Sequence, residues 1–163
     1  MSLNYLENRE ILPSTIIEVI DIMISKSDEF VFCGSISLIE SGILKRPIKD
    51  VDVIVPKNSK LEDFGLLDLI NLYSGGNYIV DKFKDIDGKE IIRNSFFINN
   101  IKVDVFKIEN INYRELPFYD KKIKIQKIED VILYKKAWAL FGIKSSKKHI
   151  DDLREIEQNI KNS

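Results

Sequence analysis

The sequence predicts an α+β fold: a mixed β-sheet with flanking helices and a small C-terminal helical layer. Three observations predict it. Two apolar runs of strand length, Phe30 to Cys33 and Val51 to Val55, stand on either side of a short stretch with helical character. Two turn signals, Asp87-Gly88 and Asn99-Asn100, each separate strand-like segments. Apolar residues recur at helical spacing near both ends of the chain.

The elements follow in order. Pro13-Ser14-Thr15 opens a helix whose apolar residues include Ile16, Ile17, Ile20 and Ile24. Phe30 to Cys33 reads as a short buried strand. Gly34-Ser35 then turns the chain into a short helix, Ile36 to about Ser41, stopped near Gly42. Asp50 to Val55 is the next strand, closed by Pro56. Leu61 to Leu72 reads as a helix with Leu66, Leu69 and Ile70 inward. Ser74-Gly75-Gly76-Asn77 is a turn. Strands at Tyr78 to Lys84 and Glu90 to Ile98 follow, and the turn at Asn99-Asn100 leads into a strand from Ile101 to Phe106. A short strand is placed at Lys122 to Ile125. Helices at Ile128 to Phe141 and Lys148 to about Asn159 form a two-helix extension over 126–163. With no repeat, low-complexity segment or Pro/Gly-rich linker, residues 1–163 are expected to form one domain.

Composition narrows the function classes. The 25 Lys and Arg nearly balance 26 Asp and Glu, giving a net charge of -1. That balance argues against a general electrostatic grip on nucleic acid or an anionic membrane. A single cysteine, Cys33, excludes an intramolecular disulfide and suits a reducing compartment. In its apolar run it reads as a small buried hydrophobe. Neither a signal peptide nor an apolar run of membrane-spanning length is evident, so a soluble cytoplasmic protein is expected.

Against this background the acids inside apolar strands stand out. Strand alternation puts Asp50 and Asp52 on one face and Val51 and Val53 on the other. Like charges that close are costly in a partly buried site. They are relieved by hydration at an exposed edge, or by a divalent cation. Asp104, between Val103 and Val105, repeats the pattern. Magnesium takes oxygen ligands, commonly one or two carboxylates together with substrate phosphates. Gly34-Ser35 stands where a strand passes into a helix, where backbone N–H groups favour a phosphate. Each of these residues also has a plain reading as turn or exposed face; the combination is what points to a site.

Gly34-Ser35, then Asp50-Val51-Asp52, then Asp104 resembles the nucleotidyltransferase superfamily that shares the DNA polymerase β-like catalytic fold. Arg46-Pro47-Ile48-Lys49 looks like the lead-in of that family's first Asp, with Ile48 where Thr is frequent. The tail, Ile132 to Trp138 and then Lys148 to Leu153, is similar to small bacterial nucleotidyltransferases such as the AbiEii-like abortive-infection and type IV toxin group. On the helix wheel Lys135 falls among Ile128, Val131 and Ile132, where core residues point, whereas Lys136 falls on a more polar face. Such a lysine either snorkels outward or reaches a bound anion. His149 falls on the apolar side of its helix and reads as a core histidine. Lys148 and Asp152 read equally as a surface helix pair.

The resemblance implies transfer of a nucleoside monophosphate from an NTP to an acceptor hydroxyl, with pyrophosphate released. It implies two Mg²⁺ ions held by Asp50, Asp52 and Asp104, and nucleotide contacts from Gly34, Ser35, Arg46, Lys135 and Lys148. ATP is the default donor, although no residue selects among the NTPs. The acceptor, whether small molecule, RNA or protein, is left unassigned, and a homodimer is an open option. The basic groups at Lys121, Lys122, Lys124, Lys127 and at Lys144, Lys147, Lys148 read first as solvated faces. The rival from another class is a non-catalytic module on the same fold that binds nucleotide or protein. A haloacid-dehalogenase-like phosphatase is rejected, because Val53-Ile54-Val55 follow Asp52 where Gly-Thr is wanted.

Overall fold

The computed structural model describes residues 12–39, 47–85, 87–140, 150, 151, 153, 154 and 156–158. The first helix, α1, spans Ser14–Lys26. Its start is set by Pro13, whose extended backbone stands at the cap and whose carbonyl accepts from the amides of Ile16 and Ile17 at 3.0 and 3.1 Å. Ile16, Val19, Ile20 and Met23 form its buried stripe. Strand β1 (Val31–Cys33) and the one-turn helix α2 (Ile36–Ile39) follow, and then β2 (Val51–Pro56).

The helix expected from Leu61 starts later than predicted. A 3₁₀ turn at Asp63–Gly65 precedes α3 (Leu66–Ser74), and Phe64 and Gly65 both take positive φ, 61° and 72°. The Asp63 carboxylate accepts from the Lys60 amide at 2.8 Å, an alternative partner for backbone that would otherwise enter the helix. Within α3, Leu66, Leu69 and Ile70 are buried as expected.

Strands β3 (Ile79–Lys84), β4 (Glu90–Ile98) and β5 (Ile101–Ile108) form an antiparallel meander. Asn99 and Asn100 have φ of 49° and 67°, the pair of positive values that a two-residue type I′ hairpin needs. Sequence reasoning missed β6 (Tyr113–Phe118), which pairs with β7 (Lys121–Gln126). Pro117 argues against a central strand, but β6 lies at the sheet edge, where proline is tolerated. Helix α4 (Ile128–Leu140) comes next; residues 150, 151, 153, 154 and 156–158 are also helical.

The seven strands among the described residues make one mixed sheet in the order β3-β4-β5-β2-β1-β7-β6. The pairs β2–β5 and β1–β7 are parallel; the others are antiparallel. One face carries Val51, Val53, Val55, Phe96, Val103 and Val105 into the main core with the buried stripes of α1 and α3. Ile156 joins this core. The other face carries a smaller apolar cluster of Val31, Cys33, Ile54, Ile91, Phe106 and Ile108, against which Tyr134 of α4 packs. Among the described residues no helix is long and apolar enough to cross a membrane.

Ser74, at the end of α3, ties that helix to the sheet. Its Oγ donates to the Phe97 carbonyl at 2.7 Å and accepts from the Phe97 amide at 3.0 Å. Ser74→Ala removes both bonds at once. It is expected to lower the unfolding free energy by about 1–3 kcal/mol, measured by urea titration; an unchanged midpoint would show that water replaces both bonds without loss.

Candidate functional site

The site is built on a straight row of residues crossing the sheet. Cys33 of β1 pairs with Asp52 of β2, Asp52 pairs with Asp104 of β5, and Asp104 pairs with Ser95 of β4. Residues opposite one another on adjacent strands share a face, so all four side chains belong to the side away from the main core. Asp52 and Asp104 are therefore neighbours on two central, parallel strands, whose axes are about 4.8 Å apart. Asp52 is half-buried; Asp104 is buried, with 6% of its surface exposed.

Two groups meet Asp104 at its Oδ1. Ser95 Oγ donates to it at 2.5 Å, and Lys102 Nζ lies 3.6 Å away. Ser95 went unremarked in the sequence. The signal for it was the Asn99-Asn100 turn: Ile98 pairs with Ile101, and three rungs further Ser95 meets Asp104.

Gly34 has φ +64°, the left-handed region that favours glycine. A Cβ at this position would overlap Oδ2 of Asp52 and lie 3.2 Å from its Cγ. The strand-to-helix turn thus closes directly onto the carboxylate. Ser35 is buried beside it, and the Gly34 carbonyl accepts from the Ser37 amide at 3.2 Å.

Lys135 is buried, only 3% exposed, on the inward side of α4, whereas Lys136 is exposed, as the helix wheel predicts. Its ammonium bears on Cys33. Burial raises the Cys33 pKa well above the usual thiol range; Asp52 and Asp104 raise it further, and Lys135 partly opposes them. Cys33 is buried as the sequence reading had it, but it also forms a wall of the site. Cys33, Gly34, Gln126, Tyr134 and Lys135 surround a small apolar cavity between the sheet and α4. The Tyr134 hydroxyl is pushed up to about 12, by burial first and then by Asp85 and Asp130.

Asp50 stands apart from the row. Strand β2 begins at Val51, so Asp50 occupies the bend before it and is half-buried there. Among the described residues, no group of three or more His, Cys, Asp or Glu is gathered closely enough to hold a metal ion. The carboxylates brought side by side are two, Asp52 and Asp104. Arg46 and Lys148 lie outside the described residues, as do Gly42, His149 and Asp152.

One rung along the same face, Arg93 pairs with Phe106. Its Nη2 donates to Asp81 Oδ2 at 2.8 Å, and its guanidinium lies 4.4 Å from the centre of the Phe83 ring. The Arg93 Nε is buried without a hydrogen-bond partner among the described residues. No sequence motif marked this arginine.

Two measurements test the packing of the site. Gly34→Ala is expected to cost about 1–3 kcal/mol of stability, from the positive φ and the overlap with Asp52. Adding Asp52→Ala should return part of that loss, a coupling of at least about 0.5 kcal/mol in a double-mutant cycle. Purely additive losses would place the clash elsewhere. The second concerns pH. Folding holds the proton on Cys33, so the stability it contributes is complete below the usual thiol pKa of about 8.5. As pH rises above that value the unfolded chain ionises first, and the contribution falls until the folded thiol also ionises. Urea midpoints are therefore expected to decline at alkaline pH, and Cys33→Ala should flatten the lower part of that decline. An unchanged slope would exclude the thiol as the titrating group.

Compared with known proteins, the chain matches no family model, no curated protein and no solved structure.

Proposed function

We propose that the chain is a Mg²⁺-dependent nucleotidyltransferase with a DNA polymerase β-like fold, transferring a nucleoside monophosphate from an NTP to an acceptor hydroxyl. The observation that carries this reading is the register of Asp52 beside Asp104 on adjacent parallel strands, with Gly34 closed onto Asp52. The donor set suits magnesium: two carboxylates supply hard oxygen ligands, and substrate phosphates complete the shell. Asp52 and Asp104 would hold the ion, with Asp50 at the bend as a further carboxylate. Bound there, Mg²⁺ would polarise the phosphates and lower the pKa of the acceptor hydroxyl.

The chain's own groups then divide the work. Asp104 would orient the acceptor hydroxyl and take its proton. Ser95 would hold Asp104 in place, since its Oγ fixes one carboxylate oxygen and leaves the other to the reaction. Lys135, buried on α4 and carried toward the sheet, would offset triphosphate charge. Gly34 and Ser35 would contact a phosphate at the strand-to-helix turn, and the lack of a side chain at residue 34 lets that turn close onto Asp52. Arg46 and Lys148 enter through the family resemblance alone. The reaction needs no covalent intermediate on the protein; positioning and charge stabilisation carry it.

Incubation with each α-labelled NTP and a cell lysate tests the reading. Label is expected in an acceptor in the presence of Mg²⁺. Asp52→Asn and Asp104→Asn should each reduce incorporation by about 100-fold or more while circular dichroism shows the fold retained. Ser95→Ala should reduce it less, with Asp104 loosened but present. Incorporation that survives both carboxylate changes would sink the proposal. No incorporation from any NTP would favour the non-catalytic module.

A further inference from the structure

We propose that two copies of this chain pair edge to edge through β3, antiparallel and centred on Ile79, to form a two-fold dimer with one continuous sheet. Strand β3 is an edge strand of the seven-stranded sheet. An open edge presents unpaired N–H and C=O groups, and native proteins usually guard it with charge. Here only half of it is guarded. Asp81, Lys82 and Lys84 occupy the second half, whereas Tyr78, Ile79 and Val80 are consecutive, apolar and 42%, 62% and 51% exposed.

The backbone polarity of the edge follows from β4. Ser74 bonds both the amide and the carbonyl of Phe97, so these groups point to the β3 side. Alternation gives Ser95 and Arg93 the same direction, toward their partners Ile79 and Asp81. The backbone groups of Tyr78 and Val80 therefore point outward, to the open edge.

Symmetry then selects the register. A two-fold axis perpendicular to the sheet keeps each face on its own side, and directly opposed residues share a face. The axis must therefore pass at a residue. Placed at Asp81 or Lys82, it sets like charges opposite one another. Placed at Val80, it sets Ile79 against the partner's Asp81. Placed at Ile79, it sets Tyr78 against the partner's Val80 and Ile79 against the partner's Ile79. All three exposed apolar residues are then covered by each other, Asn77 meets the partner's Asp81, and the outward backbone groups of Tyr78 and Val80 bond across the seam.

This register has a consequence for the site. Ile79 pairs with Ser95, which pairs with Asp104, so the row of Cys33, Asp52, Asp104 and Ser95 runs straight into the same row of the partner. The two Asp104 residues would lie five strand spacings apart, about 24 Å, on one face. The seam of five residues a side falls well short of the roughly 800 Å² per partner of a standard interface. A reversible dimer with a dissociation constant on the order of tens of micromolar is expected.

Sedimentation velocity over about 5–500 μM should show a monomer passing to a dimer with concentration. Val80→Pro removes one outward N–H and no bond of the β3–β4 ladder. It is expected to abolish the dimer while keeping the monomer's thermal midpoint within about 3 °C. In the antiparallel pair, Ile79 and the partner's Ile79 have Cα atoms about 4.5 Å apart, within disulfide reach. Ile79→Cys should therefore oxidise to a covalent dimer, with the buried Cys33 as the chain's only other thiol. Lys82→Cys should lag by at least about tenfold. A monomer at every concentration, a dimer indifferent to Val80→Pro, or equal cross-linking at the two positions would overturn the proposal.

Discussion

Two carboxylates in register on the central parallel strands set the terms for the rest of this molecule. Asp52 and Asp104 cannot separate without a slip of β2 against β5. At about 5 Å and an effective dielectric of about 20, two full charges repel by about 3 kcal/mol. The opposing force lies on the other side of the same strands. Val51, Val53, Val103 and Val105 are fully buried in the main core. Each buried valine contributes roughly 1.5–3 kcal/mol, and a slip of one residue would turn the two valines of the moving strand toward the carboxylate side. Their loss, about 3–6 kcal/mol, matches or exceeds the repulsion, and the acids are held together as a by-product of locking the register.

That geometry explains the company the acids keep. Lys102 stands two residues before Asp104 on the same strand face, so strand periodicity alone brings its ammonium near the carboxylate. Ser95 comes from the next strand and supplies a hydroxyl proton. Lys135 arrives from a helix, one turn after Val131, which is buried in the core. Cations and donors thus approach from the strand, the neighbouring strand and the covering helix. Cys33 registers this setting: burial first, and then Asp52 and Asp104, hold its thiol protonated, with Lys135 opposing them.

Much of this arrangement was legible in the sequence, for physical reasons that differ by residue. Asp52 and Asp104 could be found because an acid inside an apolar strand violates a strong rule of burial. Gly34 could be found because a glycine at a strand-to-helix turn suggests close approach, and the body it approaches is Asp52. The inward aim of Lys135 followed from 3.6-residue periodicity. What failed to show depended on pairings distant in sequence. Ser95 is an ordinary serine until the hairpin register sets it against Asp104, and Arg93 is ordinary until Asp81 and Phe83 arrive from the next strand. Strand β6 was hidden by Pro117, whose position at an edge only the sheet order reveals. The expected helix from Leu61 broke down locally, because Asp63 bonds backwards and Gly65 permits a left-handed step.

The groups assembled around Asp52 are carried mainly by regular structure rather than by loops. Cys33, Asp52, Ser95 and Asp104 are strand residues, and Lys135 lies on a helix with a buried face. Only the turn at Gly34 and Ser35 stands outside an element, and it is fixed on one side by β1, on the other by α2 and beneath by the Asp52 carboxylate. Side chains supported in this way lose little freedom when a ligand arrives, because packing has already ordered them. The cost is borne by the fold, as like charges kept close. A chain using these positions for stability alone would gain by replacing either acid with an apolar residue, since both neighbouring rungs of the row are already buried or half-buried. Two acids at the centre of an apolar sheet are therefore a local cost to the fold, offset by the buried valines behind them and by the Ser95 hydroxyl and Lys102 ammonium beside Asp104.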